Sequence, residues 1–169
     1  MNTVVTYSCS PEETERVGAM VAKALGEQRF VAFYGNLGAG KTAFVRGMAS
    51  VLCPDAPVQS PTYAIINEYK NNGRTVMVHV DAYRVNDDDD LYSTGFYDCM
   101  DYEDCVCAVE WSEKIPFAIP EDAVRVNIEY YFDGGEPENN GDFSQAPANI
   151  GKRRITVENL KNEAFASQV

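Results

Sequence analysis

The chain has 169 residues, 45% of them hydrophobic, and carries 26 acidic against 14 basic side chains for a formal charge of −12. That length supports one domain, residues 1–169, with a sizeable core. No apolar run reaches membrane-spanning length and the N-terminus lacks a signal-peptide layout, so no membrane association is expected. The charge excludes a free-standing nucleic-acid binder, because neutralising phosphates takes basic clusters and only Lys152-Arg153-Arg154 offers one.

In chain order, Ser10-Pro11-Glu12-Glu13 opens a first helix as a capping box with Pro at the first helical position. Val17, Met20, Val21, Ala24 and Leu25 form its buried stripe, and Gly26 ends it. Phe30-Val31-Ala32-Phe33-Tyr34 has the composition of a buried strand. Thr42 to Leu52 follows as a second helix, with Phe44, Val45, Met48, Val51 and Leu52 at helical spacing. Thr62 to Tyr69 alternates, Asn71-Asn72-Gly73 turns, and Arg74 to Val80 alternates again, which predicts a β-hairpin.

Asp87 to Asp90 suit a solvated helix start, where carboxylates favour the helix dipole. Asp104 to Glu110 contains a buried strand, and Ser112 to Ile115 a short helical turn. Ala123 to Phe132 and Arg154 to Val157 form two further strands that pair with each other. Between them, residues 133–151 are rich in Gly, Pro, Asn and acids, the composition of a mobile loop. The five cysteines (Cys9, Cys53, Cys99, Cys105, Cys107) are odd in number and fall mostly in element-like segments. Reduced thiols and a cytoplasmic location are therefore expected, with Cys105 and Cys107 packed in the core.

The strongest signal is Gly35-Asn36-Leu37-Gly38-Ala39-Gly40-Lys41-Thr42, an ungapped phosphate-binding loop of the form G-x-x-x-x-G-K-[ST]. Glycines let backbone N–H groups turn inward around phosphate oxygens, and the following helix adds its positive end. Lys41 can then reach the β- and γ-phosphates, and the Thr42 hydroxyl can ligate Mg²⁺. ATP with Mg²⁺ is the expected cofactor, bound by residues 36–43, that is Asn36, Leu37, Gly38, Ala39, Gly40, Lys41, Thr42 and Ala43. No Asn-Lys-x-Asp segment of the guanine-reading kind occurs, which points away from GTP.

Such a loop needs an acidic site for the metal and a group that orients the attacking water. His79-Val80-Asp81-Ala82-Tyr83-Arg84 delivers Asp81 at one strand end, and Cys105-Val106-Cys107-Ala108-Val109-Glu110-Trp111 delivers Glu110 at another in the manner of a Walker-B strand. Ligands in open α/β sheets bind beyond the carboxyl ends of the strands, so both carboxylates are candidates. Lys41, Asp81 and Glu110 form the candidate catalytic set, and Thr42, Asp81 and Glu110 the candidate metal set. Which carboxylate does which task is open at this level. Thr62 is a candidate γ-phosphate sensor, and His79 fits a hydrogen-bonded residue near a strand end.

Gly35 to Thr42 followed by Arg46-Gly47, then Ser60-Pro61-Thr62-Tyr63, His79-x-Asp81-x-Tyr83-Arg84 and Glu110-Trp111-Ser112-Glu113 resembles the TsaE (YjeE) family of P-loop ATPases. The likeness runs in order from the first helix to about Pro120. It implies an α/β P-loop fold: a mixed sheet flanked by helices, with the hairpin after the second helix and antiparallel strands toward the C-terminus. It implies Mg²⁺-ATP binding and docking on a TsaB–TsaD type heterodimer, whose TsaD member transfers threonylcarbamoyl to the tRNA adenosine beside the anticodon. tRNA would then be met only indirectly, through that complex. Thr62 would lie in a switch-like loop, and Asp81 and Glu110 would form the acidic pair. Two positions depart from the family pattern: Asn36 stands where Asp is usual, and Ala43 where a second Thr is common.

The residues alone leave two other classes open. A small-molecule P-loop kinase shares the loop but needs an acceptor pocket and usually a basic lid, and arginine is scarce beyond the loop. A nucleotide-gated binding module would switch shape with little hydrolysis.

Overall fold

Phe30 to Tyr34 has no polar position, as a strand covered on both faces requires, and it forms the middle of the sheet. The computed structural model describes residues 2–61, 65–131 and 152–167. The expected loop 133–151 and the candidate Thr62 lie outside them. The strands are β1 (Thr3–Ser8), β2 (Phe30–Tyr34), β3 (Ile66–Asn71), β4 (Arg74–Asp81), β5 (Val106–Glu110), β6 (Val124–Tyr130) and β7 (Arg153–Glu158). The helices are α1 (Pro11–Ala24), α2 (Lys41–Leu52), α3 (Asp88–Ser93) and α4 (Phe96–Met100).

All seven strands join one sheet in the order β1-β7-β6-β2-β5-β4-β3. β2 runs parallel to both β5 and β6, and β4 parallel to β5. The predicted hairpin β3–β4 closes one edge antiparallel, turning through Asn72 and Gly73 at positive φ. The expected pairing of the last two strands is present as β6–β7, with Tyr130 opposite Arg153. β7 also pairs with β1, a strand for which the sequence carried no expectation.

Strand alternation divides the core between the two faces. Phe33, Met77, Ala108 and Val126 lie on the face covered by α1 and α2, with Val21, Phe44 and Met48. Ala32, Val78, Val80 and Val109 lie on the other, with Leu91, Phe96 and Ile115. Because Met77 faces α1 and α2, so do His79 and Asp81, two and four residues further along β4.

Cys105 and Cys107 are buried in the second cluster, where desolvation pushes the Cys105 thiol up to about 11 and that of Cys107 further. All five cysteines are free thiols, and Cys9 is exposed. Among the described residues, no helix is long and apolar enough to cross a membrane.

Two features fix α2, and with it the phosphate loop. Phe33 before the loop meets Phe44 after it edge to face, with ring centroids 5.3 Å apart. Both rings are fully buried, a burial that contributes ~1.5–3 kcal/mol for each. The backbones of α1 and α2 also touch. A Cβ on Gly18 would stand 2.1 Å from the Phe44 carbonyl oxygen, and one on Gly47 1.9 Å from that of Glu15. The Arg46-Gly47 pair is thus a packing requirement as well as a motif, and Arg46 Nε donates to Glu15 Oε1 at 2.8 Å across the same contact.

Candidate nucleotide site

Residues 35–40 join β2 to α2, and Gly40 enters the helix at φ 115°, a left-handed conformation that side chains rarely adopt. α1 is capped by the Ser10 hydroxyl and α3 by the Asp87 carboxylate. α2 has no side-chain cap and no acidic residue in its first turn. Its first N–H groups and the positive end of its dipole are thereby presented to an anion.

The loop is braced from the C-terminal half of the chain. The Tyr130 hydroxyl donates to the Leu37 carbonyl at 3.2 Å, and Arg153 Nε donates to the Ala39 carbonyl at 3.0 Å. The Arg153 guanidinium also lies 4.1 Å from the centre of the Tyr130 ring. The other members of the short basic run are engaged too. Arg154 pairs with Glu129 at 2.6 Å, and Lys152 lies over the rings of Tyr7 and Tyr131. Sequence reasoning missed the bracing roles of Tyr130 and Arg153, because nothing local distinguishes them before the β6–β7 register is known.

Lys41 is 4% exposed. Its ammonium donates to the carbonyls of Gly35 at 2.6 Å and Asn36 at 3.1 Å, and sits 3.9 Å from the centroid of the Trp111 ring. Burial lowers its pKa below the ordinary lysine value, while Glu110, Glu113 and Asp81 act the other way. Asn36 therefore contributes its backbone carbonyl to the lysine seat.

Asp81 and Glu110 stand opposite each other in the parallel β4–β5 ladder, at the C-terminal strand ends where the sequence placed them. Both are buried. The Thr42 hydroxyl donates to Glu110 Oε1 at 2.8 Å, and His79 Nε2 meets the same oxygen at 2.8 Å. Asp81 also acts as a turn residue: its Oδ1 accepts the Tyr83 N–H at 3.0 Å, capping the turn Ala82–Arg84, and its Oδ2 accepts from the Ser60 hydroxyl at 3.4 Å.

A cavity of about 370 Å³ collects Leu37 to Ala43 with Arg46, Ser60, Asp81, Tyr83, Glu110 and Trp111. On the other flank of the loop, Ser10, Thr14, Ala43 and Arg153 line a smaller one of about 160 Å³. The structure thus brings together Asn36 to Ala43, Asp81 and Glu110. It also adds Trp111 and Tyr83, whose rings meet at 4.9 Å.

The donor set fits Mg²⁺. Among the described residues no three His, Cys, Asp or Glu side chains converge as an all-protein metal cage would need. A Mg²⁺ shared with nucleotide phosphates takes only one or two protein oxygens and keeps waters. The Thr42 hydroxyl beside Glu110 offers hard oxygens of that kind.

A parallel-centred α/β sheet, a phosphate loop entering an uncapped helix, and carboxylates at the ends of neighbouring strands define a P-loop nucleotide-binding fold. The family described as "Threonylcarbamoyl adenosine biosynthesis protein TsaE" matches residues 8–135. Three proteins named tRNA threonylcarbamoyladenosine biosynthesis protein TsaE are similar to this chain. That of Treponema pallidum is 35% identical over 127 residues, 75% of this chain and 92% of the relative. That of Haemophilus influenzae is 38% identical over 123 residues, 73% of each. That of a Nostoc species is 31% identical over 156 residues, 91% of this chain and 89% of the relative. In fold, the chain resembles the crystal structure of Bacillus subtilis YdiB, with a TM-score of 0.66 at 24% identity over 99% of this chain and 93% of that one. The chain belongs to the TsaE family.

Proposed function

We propose that this chain is a Mg²⁺-ATP-binding and hydrolysing subunit that supports threonylcarbamoyl transfer to the tRNA adenosine beside the anticodon, and that a TsaB–TsaD type heterodimer stimulates its hydrolysis. Family membership supports the pathway. The observation that carries the nucleotide chemistry is the Thr42 hydroxyl in direct contact with Glu110 at the mouth of the uncapped helix α2.

In this reading the first turn of α2 and the loop amides cradle the phosphates. Lys41 leaves the Gly35 and Asn36 carbonyls for the β- and γ-phosphate oxygens and offsets the charge that develops on them. Thr42 and Glu110 hold the metal, which when bound polarises the γ-phosphoryl group. Asp81, on the neighbouring strand and already fixed by the Tyr83 N–H, orients the water that attacks γ-phosphorus in line as the bridging oxygen of ADP leaves. Thr62 senses the γ-phosphate. A chain of net charge −12 meets tRNA through the partner complex rather than by itself.

Reconstitution tests this reading. Modified adenosine on tRNA is measured with the TsaB–TsaD pair, ATP and this chain, either wild type or Lys41→Ala. Sustained modification with the wild type and its loss with Lys41→Ala are expected. Equal product with either chain overturns the assignment.

A further inference from the structure

His79 lies at a position where strand alternation calls for an apolar side chain. Met77 two residues earlier is fully buried on the same face, and His79 itself is 0% exposed. A buried imidazole needs a polar partner, and the one it has is Glu110, whose Oε1 it meets at 2.8 Å. In the β4–β5 register His79 stands opposite Ala108, so it reaches Glu110 diagonally, one step nearer the strand end. In the tautomer that carries its hydrogen on Nε2, the ring donates to this oxygen. Oε1 then receives two donors, the Thr42 hydroxyl and the His79 ring. Glu110 itself lines the cavity. The two donors are unequal: a hydroxyl turns about its C–O bond, whereas the buried ring is a rigid donor.

We propose that His79 is a positioning residue for Glu110: it locks one carboxylate oxygen so that Glu110 is set for Mg²⁺ before nucleotide arrives. The inference rests on the reading of Thr42 and Glu110 as the metal-holding pair. A partner that orients a ligating group is ordinarily reflected in metal affinity, with changes of about 10–100-fold on its removal. His79 acts through Glu110 and is not among the residues that line the cavity.

The test compares nucleotide affinity in Mg²⁺ and in EDTA, together with the thermal transition, for the wild type, His79→Leu and His79→Gln. Leucine keeps the apolar bulk and removes the donor, and glutamine restores an N–H near Nε2. Expected is a loss of about 10–100-fold in Mg²⁺-dependent affinity for His79→Leu, with affinity in EDTA and the melting temperature close to wild type, and partial recovery in His79→Gln. An unchanged Mg²⁺ dependence in His79→Leu overturns the proposal. So does a joint loss of EDTA affinity and of the thermal transition that glutamine does not repair, which assigns His79 to core packing. A wild-type chain whose nucleotide affinity ignores Mg²⁺ refutes the metal reading itself, and that outcome is visible without any variant.

Discussion

The Lys41 ammonium rests 3.9 Å from the centroid of the Trp111 ring, held there while it donates to two carbonyls of its own loop. A cation over an indole face is stabilised by about 0.5–2 kcal/mol, and charged hydrogen bonds to phosphate outcompete that contact. If Lys41 binds the phosphates as proposed, nucleotide is expected to draw it away from the ring.

Trp111 is the only tryptophan of the chain, so intrinsic fluorescence reports this movement directly. ATP or ADP is expected to change its emission saturably. Lys41→Ala should alter the starting intensity and abolish the response. An undiminished response in that variant would place the reporter's environment under some other control.

The same lysine makes stability depend on pH. Its folded pKa is lowered by burial, so between that value and the ordinary 10.5 the unfolded chain holds a proton that the folded site gives up. Stability assigned to this group then rises with pH across the window. Chemical denaturation of the wild type and Lys41→Met at a series of pH values should show the difference moving in favour of the wild type as pH climbs toward 10.5. A difference that stays flat contradicts the burial argument.

Gly47 offers a test of the helix seat. In a free helix, Gly→Ala gains about 1 kcal/mol. Here the added Cβ would lie 1.9 Å from the Glu15 carbonyl oxygen and 2.6 Å from its carbon, and α1 cannot yield without moving Gly18 off Phe44. The expected sign is reversed: Gly47→Ala should destabilise by ~1–3 kcal/mol, seen as a lower denaturant midpoint and a lower melting temperature. A gain in stability would show that the two helices separate easily.

Asp81→Asn separates capping from chemistry. Asparagine caps the turn at Ala82 about as well as aspartate, so the fold and nucleotide affinity should hold. Partner-stimulated phosphate release should fall by about 10²–10⁴-fold, as for loss of a general base. If Mg²⁺-dependent nucleotide affinity collapses instead, Asp81 and not Glu110 is the metal ligand.

The parts legible in the sequence were those set by local chemistry. Phe30 to Tyr34, the phosphate loop and the Ser10 cap each announce themselves in a few residues. The hairpin turn at Asn72-Gly73 does the same, and all four are present. Asp81 and Glu110 were legible as strand-end carboxylates, because an apolar run ending in an acid says where the chain leaves the core.

What stayed hidden depends on strand order. Thr3 to Tyr7 of β1 alternate between exposed and half-buried, and among the described residues the strand pairs with β7, far along the chain. Arg153 and Tyr130 brace the loop only because β6 lies beside β2. The contact of His79 with Glu110 likewise needs the β4–β5 register, which no window of either segment contains.

Partner-stimulated hydrolysis at this site is tested by phosphate release from Mg²⁺-ATP. It is measured with the chain alone, with a TsaB–TsaD type pair, and with the pair and Lys41→Ala. Slow release alone, a sharp rise with the pair, and loss of that rise in the variant are expected. Release that is the same with and without the pair, or that survives Lys41→Ala, would contradict partner-stimulated hydrolysis at this site.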